Sequence, residues 1–343
     1  MKDKLIKYIP LIIALIILYF LIYPNYQKLI EIYKSSSKKY LFLSFLSSFF
    51  SYTFMSLSLY EMLKIFGWKV DFLKTFYITL ISTTVNYFFS SGGASGFALR
   101  MHLLHKRKVP VSVSLTTSIV LTAFIYLILG LIVMQSFILY FIEIKKINKT
   151  MIEGFIGSAL IFLVPFVMSL VLYNYRFRNR WAIRIFYFIN NTLYQITKYH
   201  IPREDFRDFK NKLNTGIAVL HTRKYELPKV LMYVLLDWIF NIMVLYFAFL
   251  AVGVRLSISD AVIGFSFGIL ITVLPILPSG LGIMEFVLAN FYSNLGISIE
   301  TAIFASLVMR FFYYILPSFF SLMIFYGVKI VDKDVDRGGR NGY

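Results

Sequence analysis

The chain has no cysteine in 343 residues, which excludes disulfides and thiol chemistry and leaves the compartment open. It is short of acid, with 17 Asp and Glu against 35 Lys and Arg and a formal net charge of +18. No polar stretch is much longer than about 50 residues, so there is no room for a sizeable soluble domain. There is no G-x-x-x-x-G-K-[ST] loop, and ATP hydrolysis is not expected. His102 and His105 share a helical face but lack acidic or thiol co-ligands, so no metal site is expected. "GFSFG" (264–268) has the spacing of a nucleophile elbow without the strand–turn–helix context that chemistry needs. No cofactor is expected.

What the chain has is apolar side chains, 59% of the total, with 36 Phe and 25 Tyr. Runs of about 18 or more apolar residues recur, the length that crosses a bilayer as a helix. The expected fold is an all-α polytopic membrane protein, one integral domain over 1–343. Its spans are drawn at 8–23, 40–60, 72–90, 111–141, 154–174, 227–252, 258–277 and 298–328. Two pieces, 94–106 and 280–294, are too short to cross alone and read as re-entrant or interfacial. The basic, apolar N-terminus has no A-x-A-like cleavage site and reads as an uncleaved first helix. Beside membrane helices, a basic balance points to anionic membrane lipids rather than nucleic acid. Oligomeric state is not legible.

The long polar segment 175–229 carries twelve Lys and Arg against Glu204, Asp205, Asp208 and Glu226. The positive-inside rule puts it in the cytoplasm. Phe206, Phe209, Leu213, Ile217 and Leu220 fall on one helical face, as do Ile185, Phe186, Ile189, Leu193 and Ile196. The spacing fits amphipathic helices on the inner membrane surface, or helices packed on the membrane body.

One pattern occurs twice, over about 67–141 and 253–328. Each copy has a glycine, an apolar helix, a break, a short helix and a long helix. The breaks are "SSGGASG" (90–96) and "PSGLG" (278–282). With both termini in the cytoplasm, the two helix–break–helix hairpins enter from opposite faces. That is the inverted repeat of many transporters, in which broken helices meet near the midplane. Lys28, Lys34, Lys38 and Lys39 fall on the outside in this scheme, against the charge bias. Broken backbone at membrane depth is tolerated where it is buried in protein or lines a polar cavity. The amides freed at Gly280 and Gly282 begin a helix and suit an anion. Ionisable residues within the spans are candidates for function by default: Arg100, Asp237, Glu285 and Arg310. A guanidinium grips a phosphate with two parallel hydrogen bonds. Glu285 and Arg310 could also form a buried pair that only locks helices. Ser82, Thr83, Thr84, Asn86 and Tyr87 could line a polar path, or bond their own helix carbonyls.

"NYFFSSGGASGFALR" (86–100) resembles the N-x-x-x-P-S-G-x-x-G-G-E-x-x-R motif of the lysylphosphatidylglycerol synthase transmembrane region family, also called flippase-like domain proteins. "PSGLGIMEF" is similar to that family's P-G-G-x-G-x-x-E, and "GISIETAIFASLVMRFFYYILP" to its closing helix. Asn86, Ser91, Gly92, Gly96, Arg100, Pro278, Gly280, Gly282, Glu285, Arg310 and Pro317 match. Ser90 stands where the family has proline and Phe97 where it has glutamate, which removes a carboxylate beside Arg100. In the family the membrane region can be joined to a soluble domain that transfers an aminoacyl group from tRNA to phosphatidylglycerol. The chain ends at Tyr343 without one, so the resemblance implies the flippase part. The expectation is a transporter for an anionic or aminoacylated phospholipid, or a lipid-linked precursor, in the cell membrane. The first ten matching positions, Asn86 to Arg310, are its candidate substrate-binding residues. The alternatives are a phosphatidylglycerol lysyltransferase-like enzyme, and a non-transporting scaffold for a cell-envelope enzyme.

Overall fold

The computed structural model describes residues 22–88, 94–144, 173–197, 200–273 and 280–325, with scattered positions at 16–20, 156–170 and 327. Among the described residues all regular structure is helical. In chain order the helices are α1 (Tyr26–Ser35), α2 (Lys38–Ile65), α3 (Phe72–Phe88), α4 (Ala94–Lys106), α5 (Val111–Ile144), α6 (Tyr175–Thr197), α7 (Arg203–Thr222), α8 (Leu227–Ala251), α9 (Ile258–Val273), α10 (Ile283–Ser293) and α11 (Ile299–Arg310). α11 continues through a π-turn at Phe311–Ile315 to Phe325.

α2 and α8 form the most extensive helix pair, and the sequence of α2 says why. Ser44, Ser47, Ser48 and Ser51 recur at three- and four-residue steps and all are buried. Between membrane helices there is no hydrophobic drive from water, so small side chains that admit close approach, and hydrogen bonds across the contact, do the holding. Ser44 Oγ donates to the Val244 carbonyl (2.8 Å), Ser51 Oγ to the Asp237 carboxylate, and Ser37 N to the Ala251 carbonyl (2.7 Å). At the far end Lys229 Nζ meets Glu61 Oε1 at 3.0 Å. As one number rises the other falls, so the two helices run antiparallel over their whole length.

Each is followed by the same construction. Gly67 and Gly253 end α2 and α8 with φ of +79° and +80°. In each case the next amide reaches back five residues, Trp68 N to Leu63 O (2.9 Å) and Val254 N to Phe249 O (3.0 Å). This left-handed cap satisfies last-turn carbonyls and redirects the chain. A half-length helix, a short returning helix, a second left-handed cap and a long helix follow. The second caps lie at Lys108 (φ +63°) and Gly296 (φ +82°), with Val109 N on Leu104 O and Ile297 N on Tyr292 O. α4 lies antiparallel on α3, because Arg100 faces Ser82 and Ser95 faces Asn86. α10 lies antiparallel on α9, with Tyr292 under Gly264 and Leu288 under Gly268. Since α2 and α8 are antiparallel, the two helix pairs open from opposite ends of the bundle.

Among the described residues, four helices are long and apolar enough to cross a membrane: Lys38–Ile65, Val111–Ile142, Lys224–Ala251 and Ile299–Phe325. They coincide with four of the expected spans. α3 and α9, drawn from sequence as spans at 72–90 and 258–277, are described over Phe72–Phe88 and Ile258–Val273, and the residues that follow each lie outside the described residues. The spans drawn at 8–23 and 154–174 are described only at scattered positions.

The two amphipathic helices part company. α7 packs on α5: Leu213 and Ile217 join Leu115, and a Cβ at Gly216 would lie 2.0 Å from Thr116 Oγ1. α6 meets α7 through Phe186 stacked on Phe206 (4.2 Å) and Arg178 Nε on Asn214 Oδ1 (2.7 Å). It leaves Phe177, Trp181, Ile185 and Phe188 exposed.

Candidate functional site

The second break begins from two glycines. Gly280 and Gly282 have φ of +63° and +84°, backbone that an L side chain rarely adopts. Gly282 stands just before α10, and Glu285, three residues on, turns back so that its Oε2 accepts the Gly282 N–H at 2.7 Å. A carboxylate at a helix start satisfies a free amide and suits the helix dipole. Its other oxygen, Oε1, accepts from Arg310 Nε at 2.6 Å, and both side chains are buried, 1% and 4% exposed. Arg310 Nη2 also approaches the Gly280 carbonyl (3.4 Å), and its guanidinium lies over the Tyr314 ring, 4.7 Å from the centroid. Glu285 and Arg310 thus clasp the tip of the second pair to α11.

The π-turn after Arg310 has a local cause. Pro317 has no N–H to return to the carbonyls of the preceding turn. Two of those carbonyls are taken instead by α2: Phe312 O accepts from Ser48 Oγ (2.8 Å) and Tyr313 O from Tyr52 Oη (2.9 Å). A single π-turn inside a long helix often marks a functional position. Here it swings Tyr313 and Tyr314 toward α3, where the Tyr87 ring packs tilted against Tyr314 with centroids 4.6 Å apart.

Tyr87 neighbours Asn86, the hub of the first tip. Asn86 Oδ1 accepts from Gly96 N (2.7 Å) and Ser95 Oγ (3.3 Å). A Cβ at Gly96 would fall 2.3 Å from Ser82 O and 2.5 Å from Asn86 Cγ, so glycine is required by the close approach of α4 to α3. One turn on, Arg100 is 8% exposed. Among the described residues its one hydrogen bond is a long one, Nε to Ser82 Oγ at 3.4 Å, and no carboxylate lies within ion-pair distance. Phe97, where a family glutamate would stand, packs with Met101 against Leu115, Leu213 and Ile217. On the helices that pack against α4, the buried hydroxyls of Thr79, Thr84, Ser114, Thr117 and Ser118 have no hydrogen-bond partner among the described residues.

The structure therefore brings Asn86, Gly96 and Arg100 together at one tip, and Gly280, Gly282, Glu285 and Arg310 at the other. Tyr87 and Tyr314 join the two. Ser91, Gly92 and Pro278 lie outside the described residues. Tyr52, Tyr313 and Tyr314 were missed from sequence; the "RFFYYILP" run ahead of Pro317 was the signal for the last two. Charge at the two ends of the bundle differs. Lys64, Lys106–Lys108, Arg223, Lys224 and Lys229 gather where α2 ends and α8 begins. Lys28, Lys34, Lys38 and Lys39 lie at the other end, where Glu300 accepts from Lys28 at 2.6 Å and holds its ammonium above the ordinary lysine range.

The family model for the lysylphosphatidylglycerol synthase TM region matches residues 8–321. A UPF0104 membrane protein of Methanothermobacter thermautotrophicus is 34% identical over 122 residues, 35% of each chain. A second from that organism is 22% identical over 275 residues, 76% of this chain and 78% of its own. UPF0104 membrane protein MJ1595 of Methanocaldococcus jannaschii is 24% identical over an alignment of 354 positions, 98% of each chain. The match thus spans about a third of the first relative and nearly all of the last. With these apolar helices and a match over most of its length, the chain is an integral membrane protein and belongs to the lysylphosphatidylglycerol synthase TM region family.

Proposed function

We propose that the protein moves a lipid with an anionic or aminoacylated phosphate headgroup, or a lipid-linked precursor, across the cell membrane. The observation that carries this reading is Arg100, a buried guanidinium with one long hydrogen bond and no counter-charge among the described residues. A bare buried cation is unfavourable, and inside a membrane protein such a charge marks a substrate path by default. A phosphate supplies both the charge and the two acceptors that a guanidinium fork lacks here. The headgroup passes Arg100 and the Asn86–Gly96 tip, then the Glu285–Arg310 tip, while its tails stay in the bilayer. The two helix pairs act as re-entrant hairpins of an inverted repeat within one domain of about eight membrane segments. The more basic end faces the cytoplasm, and α6 rests its aromatic and arginine-rich face on anionic lipid there.

The orientation is checked by single cysteines in a chain that has none. Cysteine at Lys106 or Lys210 should react with an impermeant maleimide only after the cytoplasmic side is opened. Cysteine at Lys34 should react in intact cells. Labelling of both sets from outside would defeat the inverted arrangement.

The activity is checked in liposomes carrying a fluorescent anionic phospholipid. Purified protein should bring inner-leaflet label within reach of an external quencher, faster than protein-free liposomes do. No acceleration with any phosphate-bearing lipid would defeat the reading. Formation of aminoacyl-lipid from charged tRNA would replace it with a transferase.

A further inference from the structure

Asp237 takes no part in the two tips. It lies midway along α8, 4% exposed, and its carboxylate accepts from Ser51 Oγ of α2. Among the described residues no Lys, Arg or His lies within ion-pair distance of it. Asn241 follows one turn later on the same helical face. It is 2% exposed, and its Oδ1 has no hydrogen-bond partner among the described residues. α2 does not supply one, because Ser47 Oγ donates to Leu43 O and Ser48 Oγ to Phe312 O. Among the described residues, the contact that holds the bundle together therefore contains a carboxylate with no counter-charge and, beside it, an amide oxygen with no hydrogen-bond partner.

The titratable groups facing Asp237 are phenols: Tyr52 from α2, Tyr87 from α3 and Tyr313 from α11. Arg310 of α11 is held by Glu285. The one ionisable residue of α9, Asp260, lies in its first turn, and α5 carries Tyr126 and Tyr140 along its span. No cation balances Asp237 from any of these elements. A single carboxylate with neutral neighbours is a poor cage for a divalent ion, which takes six or more oxygens and several charges. A proton neutralises it completely.

We propose that Asp237 is a proton carrier, and that its loading is coupled to the lipid movement proposed above, on which the coupling rests. At one face of the membrane the carboxylate takes a proton from hydronium: one hydronium O–H bond breaks, leaving water, and one carboxyl O–H bond forms. That O–H donates to Asn241 Oδ1, while Ser51 continues to donate to the other carboxyl oxygen. At the opposite face the O–H bond breaks and water takes the proton. No other bond changes. α2 and α8 lead into the two hairpins, so losing a charge between them biases both at once, as protonation does in intramembrane carboxylate relays.

The neighbouring Trp238 reports on the site without any lipid substrate. The chain has three tryptophans; with Trp68→Phe and Trp181→Phe, Trp238 emission is followed against pH in detergent, in sodium-free buffer. The expected result is a one-proton transition, absent in Asp237→Asn, which keeps the acceptor for Ser51 and so keeps the fold. Asn241→Leu should shift the midpoint. No transition, or the same transition in Asp237→Asn, overturns the proposal. A saturable response to sodium at fixed pH overturns it in favour of a metal ion. In liposomes a pH gradient should speed lipid movement several-fold, and Asp237→Asn should lose that stimulation while retaining movement without a gradient. A lipid-moving protein indifferent to the gradient overturns the coupling. A protein that shows the proton transition but moves no lipid leaves the proton site standing and removes the lipid reading.

Discussion

Arg100→Gln should abolish lipid movement and leave the fold standing. The two halves of that expectation have one cause. The wild-type guanidinium is desolvated by burial and, among the described residues, answered only by Ser82 Oγ at 3.4 Å. Removing such a charge relieves a desolvation penalty instead of breaking a pair, so the melting temperature should hold or rise slightly. The loss falls on the bound headgroup. Two charge-assisted hydrogen bonds contribute about 1.5–3 kcal/mol each, so transport should drop by about a hundredfold or more. Arg100→Lys keeps the charge but loses the planar fork and should recover only part of the rate. Phe97→Glu should also impair transport, since a carboxylate one turn from Arg100 would compete with the phosphate. The measurement is the initial rate of fluorescent-lipid exchange beside thermal stability in detergent. A stable Arg100→Gln protein with full activity would remove this residue from the path, and one that fails to fold would return Arg100 to a structural role.

Much of this architecture was legible because it is written in features with a strong local cause. Long apolar runs marked α2, α5, α8 and α11. Glycine at 67 and 253 marked the start of each copy of the repeated pattern, where the structure has a left-handed conformation that few other residues adopt cheaply; the caps at Lys108 and Gly296 were not marked. The Glu285–Arg310 pair was visible as one of two readings, since few charges lie in the apolar sequence. What escaped depends on which elements touch. The serines of α2 look like any polar scatter until α8 lies antiparallel against them. The π-turn needed both Pro317 to free the carbonyls and Ser48 and Tyr52, far away in sequence, to take them. The C-terminal ends of the spans drawn at 72–90 and 258–277 fall outside the described residues. Phe97 reads as a missing carboxylate in sequence and as a contact with α5 and α7 in the structure.

Glu285→Gln should be the most destabilising single substitution at the two tips. The carboxylate serves two elements at once, accepting from Gly282 N at the start of α10 and from Arg310 on α11. Without its charge Arg310 is left buried and uncompensated, and breaking a buried pair on one side costs about 3–5 kcal/mol. Arg310→Gln should cost less, because the remaining carboxylate still caps α10 and gains from the dipole of that helix. The double variant, Glu285→Gln with Arg310→Gln, should be more stable than Glu285→Gln alone, since the stranded guanidinium is gone and two amides can bond each other. Thermal unfolding of all four proteins in one detergent gives the coupling directly, and strictly additive losses would mean that the 2.6 Å contact is not an energetic pair. Transport should behave differently from stability. If the clasp were the whole role of Arg310, the double variant would regain movement along with its fold. Arg310 also reaches toward the Gly280 carbonyl and lies over Tyr314, at the junction with the first tip, where a headgroup passing from Arg100 would meet it. The double variant should therefore recover its melting temperature and still fail to move lipid.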